Sequence, residues 1–326
     1  MLTKNNMKKG CYVGFDTSNY TTSAAICDAD GRIVANLKRP LPVKTGECGL
    51  RQSDALFSHI KNLPELCDEL RRELLDYDIA AVGVSTRPRS VEGSYMPCFL
   101  AGVSAAHSFA AASDAQVCEF SHQDGHVMAA LYSSGAMDRL LGKPFIALHV
   151  SGGTTEMLLA EPSENSLFKL TLIGETEDLN AGQVIDRVGV MMGLSFPCGR
   201  ELEKLASAYE GKNTRSRVSV KEKDGLIVCN LSGVENISKK LYDETGDKES
   251  VAAYAFFHIE RTLSEMLSLA EAKYGSLPVI FSGGVMSNKL MRKGLSRGLE
   301  AYFAEPAFSA DNAAGIALLT YYKNKS

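Results

Sequence analysis

The feature that most constrains this chain is that its opening pattern begins again halfway along. Strand-like runs at Cys11–Asp16 and Thr21–Cys27 are joined by the polar Thr17–Tyr20, and the turn Asp28–Gly31 leads into a third run, Arg32–Leu37. Near residue 145 the same order returns. Phe145–Val150 runs into the turn SGGT, Thr155–Ala160 follows, and Ser163–Asn165 turns the chain into Leu167–Ile173. Each meander is followed by helical periodicity and further buried strands. After the first come helices around Asp54–Leu75, Cys98–Ala112 and His122–Tyr132, with strands at Ile79–Ser85 and Gln116–Phe120. After the second come helices at Gly182–Gly193, Arg200–Tyr209, Gly233–Tyr242 and Ser250–Lys273, then a strand at Pro278–Phe281. The last helix is expected to begin near Asp311. The pattern predicts an α/β protein of two lobes with duplicated architecture, residues 1–142 and 143–326, the C-terminal helix packing back toward a cleft between them.

With 326 residues there is enough chain for two cores, and 45% apolar against 23% charged residues excludes a disordered chain. The net charge of −4 means that a nucleic-acid partner would have to meet a local basic patch. Gly211–Lys223 offers candidates in Lys212, Arg215, Arg217, Lys221 and Lys223, although such a run reads first as a plain solvated loop. No apolar run is long enough to span a bilayer, and the start MLTKNNMKKG has no apolar stretch behind it. The eight cysteines form no C-x-x-C pair. Cys11, Cys27 and Cys118 sit in apolar runs, which is cytoplasmic cysteine usage.

Three polar turns follow buried strands: Asp16–Thr22, Ser151–Thr155 and Ser282–Asn288. A glycine-rich turn of this kind directs backbone N–H groups inward and can cradle phosphate oxygens. One turn alone usually serves only its hairpin, but three at strand ends of two similar halves point to one nucleotide. A second constellation is His122-x-x-x-His126, whose imidazoles share one helix face and can meet one metal ion. Asp311 in SADN is the candidate third ligand, and a plain helix cap is the other reading. Asp186, among Val184, Ile185 and Val188, is either solvated or a partner for a sugar hydroxyl, and Asn288 is either a ligand or a cap. There is no G-x-S-x-G elbow, H-E-x-x-H helix, P-loop or G-x-G-x-x-G run after a strand.

The runs HQDGH, HVSGGTT, GETEDLNAGQVIDRVGVMMGLSFPCG, FSGGVMSN and SADNAAGIA together resemble the TsaD family, formerly labelled O-sialoglycoprotein endopeptidases. The match in order and spacing runs from about residue 10 to 322, most densely over 120–200 and 279–320. The resemblance implies the actin-like ATPase fold, shared with sugar kinases and heat-shock chaperones. It also implies a function: transfer of a threonylcarbamoyl group from its adenylate to N6 of the adenosine beside the tRNA anticodon. His122, His126 and Asp311 match the family's ligands for one divalent metal, iron or zinc. Val150, Ser151, Gly152, Gly153 and Thr154 match its phosphate and substrate loop, with Thr154 where a His is usual. Asp186 and Gly199 match residues at the nucleoside, and Asn288 follows the adenosine-side pair Gly283–Gly284. ATP or an adenylate as ligand, tRNA, and the accessory proteins of threonylcarbamoylation as partners follow from the same resemblance, as does a cytoplasmic location.

The departures lie in the first half. Family members open with Glu-Thr-Ser-Cys-Asp-Glu-Thr, whereas Asp16–Thr22 here has Tyr20 and Thr21 in place of the two internal acids. Thr86–Cys98 replaces a Gly-Pro-Gly-Leu loop, and the usual C-terminal tail is not seen. These changes leave open a second reading, a paralogue that keeps nucleotide and metal but serves as a binding subunit. A metallopeptidase would need a general-base Glu on the His helix, where Gln123, Asp124 and Gly125 stand.

Overall fold

A computed structural model of the chain describes residues 8–18, 20–42, 50–164, 166–211 and 217–325. Of the basic patch, Lys212 and Arg215 lie outside the described residues. The first half carries β1 (Lys9–Asp16), β2 (Thr21–Asp28), β3 (Ile33–Pro40), α1 (Gln52–Glu73), β4 (Tyr77–Arg87), α2 (Phe99–Ser113), β5 (Gln116–Ser121) and α3 (His122–Ser133). Then come α4 (Met137–Leu140), β6 (Phe145–Val150), β7 (Thr155–Glu161), β8 (Lys169–Thr176), α5 (Ala181–Met191) and α6 (Gly199–Ala208). These lead to β9 (Ser219–Lys223), β10 (Leu226–Asn230), α7 (Ser232–Thr245), α8 (Lys248–Tyr274) and β11 (Val279–Ser282). A 3-10 turn at Gly284–Ser287, α9 (Lys289–Leu295), β12 (Ala301–Phe303), α10 (Pro306–Ser309) and α11 (Ala314–Lys325) complete the chain.

By packing, the chain divides into two compact units. One comprises Met1–Tyr132, Glu164–Leu167 and Ala310–Ser326, the other Ser133–Ser163 and Phe168–Ser309. The C-terminal helix α11 therefore belongs to the first unit. The duplication read from the sequence is present in the sheets. The first has strand order β3-β2-β1-β4-β5, and the second contains β8-β7-β6-β11-β12, the same order, extended beyond β8 by β10 and β9. In both, an antiparallel meander is joined through its first strand to parallel strands.

The turn between β2 and β3 shows how local chemistry sets this register. Asp28 Oδ1 accepts the backbone N–H of Asp30 and of Arg32, both at 2.9 Å, and Gly31 takes φ +80. One face of the first sheet carries Val13, Phe15, Ile26, Val82 and Val84, packed against Leu66 and Leu70 of α1 and Ala106 and Ala110 of α2. The other face is kept bare for α11. A Cβ on Gly14 would lie 2.5 Å from the Ala317 nitrogen, and one on Gly83 would collide with Thr320. In the second unit, Ile146, Leu148, Val150, Met157 and Phe281 face the long buried α8, whose Ile259, Leu263 and Met266 complete the core.

Two sequence expectations are corrected here. Gly211–Lys223 is not an excursion throughout, because Ser219–Lys223 forms β9, an edge strand antiparallel to β10. Its charged residues are those that protect an open sheet edge, which is why the segment read as a loop. Lys223 bonds Glu177 at 2.6 Å, and Lys221 stands 3.6 Å from the same carboxylate. The last helix begins at Ala314 rather than near Asp311, with Asn312 Oδ1 accepting the Ala314 N–H at 3.0 Å. Asp311 is thus a loop residue just before α11. Among the described residues, no helix is long and apolar enough to cross a membrane.

Candidate functional site

The histidines of α3 are placed by its capping. Ser121 Oγ accepts the Asp124 N–H at 3.1 Å, while Asp124 Oδ2 accepts the Ser121 N–H at 3.1 Å and its hydroxyl at 2.7 Å. This reciprocal pair fixes the helix start at His122. His126, one turn on, shares its face, and the two rings lie 4.2 Å apart, edge to face. The segment that replaces the family loop is tied to the same turn. Pro88 O accepts the Gln123 N–H at 3.0 Å, and Ser90 Oγ donates to Asp124 Oδ2 at 2.9 Å.

Asp311 reaches this face because two glycines let α3 and α11 touch. Gly315 lies against Gly125, where a Cβ would overlap the Gly125 carbonyl oxygen, and Gly125 in turn receives Ile316. Asp311 Oδ1 is 3.3 Å from His126 Nε2 and 3.6 Å from His122 Nε2. One donor atom from each of the three residues lies within 4.8 Å of the other two. Two imidazoles and one carboxylate converging in this way suit a first-row divalent metal with open positions.

Asp16, at the end of β1, supports the group from behind. Its Oδ2 is 2.8 Å from His122 Nδ1, and its Oδ1 accepts the Ser18 N–H at 2.8 Å and the Ser18 hydroxyl at 2.5 Å. Ser18 Oγ is itself 2.9 Å from His122 Nδ1. A carboxylate on Nδ1 assigns the proton there and leaves the Nε2 lone pair facing Asp311. Asp16 is fully buried, which by itself raises a carboxyl pKa. The His122 charge and the His122 and Ser18 hydrogen bonds outweigh that, so its pKa lies below the ordinary value. Thr17 anchors the turn, with Oγ1 donating to Cys98 O at 3.0 Å and accepting the Gly102 N–H at 2.9 Å. Asp16 and Ser18 do not stand out in the sequence as parts of this centre, and their one signal there is a polar turn after a buried strand.

In the second unit, the loop Val150–Thr154 is a tight hairpin. The Ser151 N–H donates to Thr154 O at 2.7 Å, and Ser151 Oγ accepts the Thr154 N–H at 3.1 Å. The N-terminus of α5 docks on it: the Gly182 N–H donates to Ser151 O at 3.1 Å, and the Ala181 N–H to Thr155 Oγ1 at 3.0 Å. A Cβ on Gly182 would sit 2.6 Å from the Gly152 nitrogen, whereas Gly152, Gly153 and Gly284 face open space. Gly283, at φ +95, presses on the Val150 backbone, so the two glycine turns are neighbours. His149 Nδ1 and Ser282 Oγ, 2.9 Å apart, join the strands just before those turns. Ser282 opens the third polar turn of the sequence, whereas His149 carries no signal of its own there.

The remaining site residues have clear structural duties. Asn288 caps α9, its Oδ1 accepting the Leu290 N–H at 2.8 Å and the Met291 N–H at 3.0 Å. Asp186 Oδ1 accepts the Cys198 N–H at 2.8 Å, which pins the segment leading to Gly199 at the start of α6. Burial raises the Asp186 pKa, with the Cys198 bond opposing it. Asp178, unassigned from the sequence, holds the start of α7 by accepting the Leu231 N–H at 2.8 Å and the Ser232 N–H at 3.1 Å.

The strand order and packing define a two-unit α/β protein with the actin-like fold. Solved structures bear this out. Full-length HypF in its phosphate- and nucleotide-bound form superposes with TM-score 0.59 at 14% identity, over 100% of this chain and 56% of that one. The (R)-2-hydroxyglutaryl-CoA dehydratase component A of Acidaminococcus fermentans gives 0.53 at 16% identity, over 97% and 99%. Within that class the chain belongs to the TsaD family, tRNA N6-adenosine threonylcarbamoyltransferase, whose model matches residues 47–318. The Kosmotoga olearia tRNA N6-adenosine threonylcarbamoyltransferase is 30% identical over 325 residues, covering 96% of this chain and 93% of its own. The Methanopyrus kandleri enzyme of the same name is 26% identical, covering 94% and 85%.

Proposed function

We propose that this chain transfers the threonylcarbamoyl group of threonylcarbamoyl-adenylate to N6 of the adenosine next to the tRNA anticodon. The observation that carries this reading is the convergence of His122, His126 and Asp311, backed by Asp16, within a chain that matches the family along most of its length. The donor is a mixed anhydride. The adenosine N6 attacks the carbamoyl carbon and gives up one proton to solvent, the carbamoyl–phosphate bond breaks, and AMP departs with the electron pair. No side-chain nucleophile is required; orientation and charge stabilisation are.

His122, His126 and Asp311 would hold one iron or zinc ion, which when bound supplies a Lewis acid for the carbamoyl oxygen. Asp16 and Ser18 keep His122 turned toward that position. In the second unit, the open faces of Gly152, Gly153 and Gly284 suit close approach by the phosphate of ATP or the adenylate. Asp186 and Gly199 would serve the nucleoside, and Asn288 would fix the Gly283–Gly284 turn by capping the helix that follows. The reaction takes place in the cytoplasm with tRNA, together with the accessory proteins of threonylcarbamoylation.

Tyr20 and Thr21 bear on rate. Tyr20 is exposed and Thr21 opens β2, so two acids that would add charge at this turn are absent. Transfer is expected to be slower than in a relative with both acids. The test supplies tRNA, threonine, bicarbonate, ATP, the carbamoyl-adenylate synthase and the accessory proteins, then analyses the digested tRNA. Modified nucleoside supports the assignment. No product, where a full-motif relative succeeds in the same mixture, rejects it.

A further inference from the structure

The segment between β4 and α2 is tied to the metal centre at both ends. At its start, Pro88 O accepts the Gln123 N–H at 3.0 Å and Ser90 Oγ donates to Asp124 Oδ2 at 2.9 Å, on the turn that begins α3. At its end, Cys98 O accepts the Thr17 hydroxyl at 3.0 Å, and the Phe99 ring lies 6.3 Å from that of His122, edge to face. Between these anchors the chain folds on itself. Ser94 Oγ accepts the Arg89 N–H at 3.0 Å, the Ser94 N–H donates to Val91 O at 3.2 Å, and Gly93 turns at φ +76. The crest of the segment is thus held in a set shape beside the metal helix.

Tyr95 stands on this crest with 63% of its surface exposed, and Val91 in the same turn with 60%. Among the described residues, the Tyr95 side chain makes no hydrogen bond, ion pair or ring contact. It precedes Phe99 by four residues, a span of at most about 14 Å, so the exposed ring is tethered close to His122. The crest also carries Arg87, Arg89 and the exposed Glu92, whose charges nearly cancel. Such a surface suits the π-face of a base better than a run of phosphates. The His122 and His126 side chains are only 11% and 14% exposed. A base whose N6 approaches them must leave its stack, and the base next to it then loses a stacking surface. Proteins that read single-stranded RNA loops replace that surface with an aromatic ring.

We propose that Tyr95 is the platform on which the anticodon-loop base adjoining the target adenosine stacks while that adenosine occupies the metal centre. This rests on the transferase reading of the site. The platform holds the neighbouring base in place of the adenine that has left, and so favours the opened form of the loop over the stacked one.

The test uses the metal-loaded full chain with its accessory proteins and a fluorescent anticodon stem-loop RNA, titrated by anisotropy into wild type, Tyr95→Ala and Tyr95→Phe. Tyr95→Ala should weaken binding by about 5–150-fold, the range of one lost base–aromatic stack, and Tyr95→Phe should bind as wild type does. The ratio should hold as salt is raised, unlike a phosphate contact. With RNA made abasic on each side of the target adenosine in turn, one of the two should lower wild type to the level of Tyr95→Ala. In transfer, Tyr95→Ala should raise KM for tRNA and leave KM for threonylcarbamoyl-adenylate unchanged. Tm and metal content equal to wild type establish that the variants are folded. Equal RNA affinity in Tyr95→Ala overturns the proposal, as does a loss that persists in full with both abasic RNAs or is matched by Tyr95→Phe. Weaker assembly with an accessory protein at unchanged RNA affinity overturns it too, by placing Tyr95 in a protein interface. RNA binding that depends on Tyr95 and on the neighbouring base, with no transfer by wild type, would refute the transferase reading and leave the platform standing.

Discussion

Replacing Gly315 by Ala should damage the metal centre without touching a ligand. A Cβ on Gly315 would overlap the Gly125 carbonyl oxygen and lie 2.7 Å from the Gly125 carbonyl carbon and 3.0 Å from the Ala129 nitrogen. All three are backbone atoms of α3 and have no rotamer to change. Ordinary contact needs about 3.5 Å, so α11 and α3 must part by something on the order of 1 Å. Overpacking of this kind costs about 1–3 kcal/mol, against a gain of at most about 1 kcal/mol from replacing Gly in a helix. The net expectation is a lower Tm. The larger effect falls on Asp311, which enters from just before α11 while both histidines ride on α3, so the shift opens the 3.3 Å and 3.6 Å approaches. Misplacing a metal ligand's support typically costs about 10–100-fold in affinity. Equilibrium dialysis against iron(II) and zinc, with elemental analysis and a thermal melt, reads both effects. Gly233→Ala in α7 is the control, because its Cβ meets nothing within 4 Å. If Gly315→Ala bound metal as tightly as wild type with unchanged Tm, the idea that this glycine contact assembles the site would be wrong.

Asp16→Asn should loosen metal about 10–100-fold, since His122 loses the acceptor that sets its tautomer. In the metal-free protein Asp16 has a folded pKa below its ordinary value. Its contribution is complete above about pH 4 and is lost as pH falls through the folded pKa, so the Tm gap between wild type and Asp16→Asn should close on acidification. His122→Ala and Asp311→Ala should each lower metal content in purified protein, as read by elemental analysis. Gly153→Val should fold normally, because the space above Gly153 is open, yet abolish the Tm rise given by ATP; an undiminished rise would assign the loop another duty. Asp178→Ala should cost about 0.5–2 kcal/mol in urea denaturation through loss of the bonds to the first N–H groups of α7, with metal binding intact.

Much of this architecture was legible because it is local. The Asp28–Gly31 turn, the alternation in β1 and β2, and the restart at Phe145 are written in adjacent residues, and the shared strand order follows from them. The i, i+4 histidines were equally readable, since a capping box lies directly before them. What escaped were elements whose identity depends on their neighbours. β9 is polar because it is an edge, and β12 is only Ala301–Phe303, too short to show a period. Asp16 joins the centre from the end of β1, remote in sequence from His122, which no spacing along the chain reveals. The role of Gly125 and Gly315 appears only when two helices remote in sequence are brought together.

The central claim is tested most directly by a single-turnover experiment. Preformed threonylcarbamoyl-adenylate, labelled in the threonyl carbon, is mixed with excess metal-loaded protein, accessory proteins and tRNA, and the label is followed into the nucleoside beside the anticodon. The account predicts label on N6 of that adenosine with wild type, and its loss with His126→Ala. Label that never reaches tRNA with wild type, while a relative carrying the full first loop transfers it in the same mixture, would contradict the account.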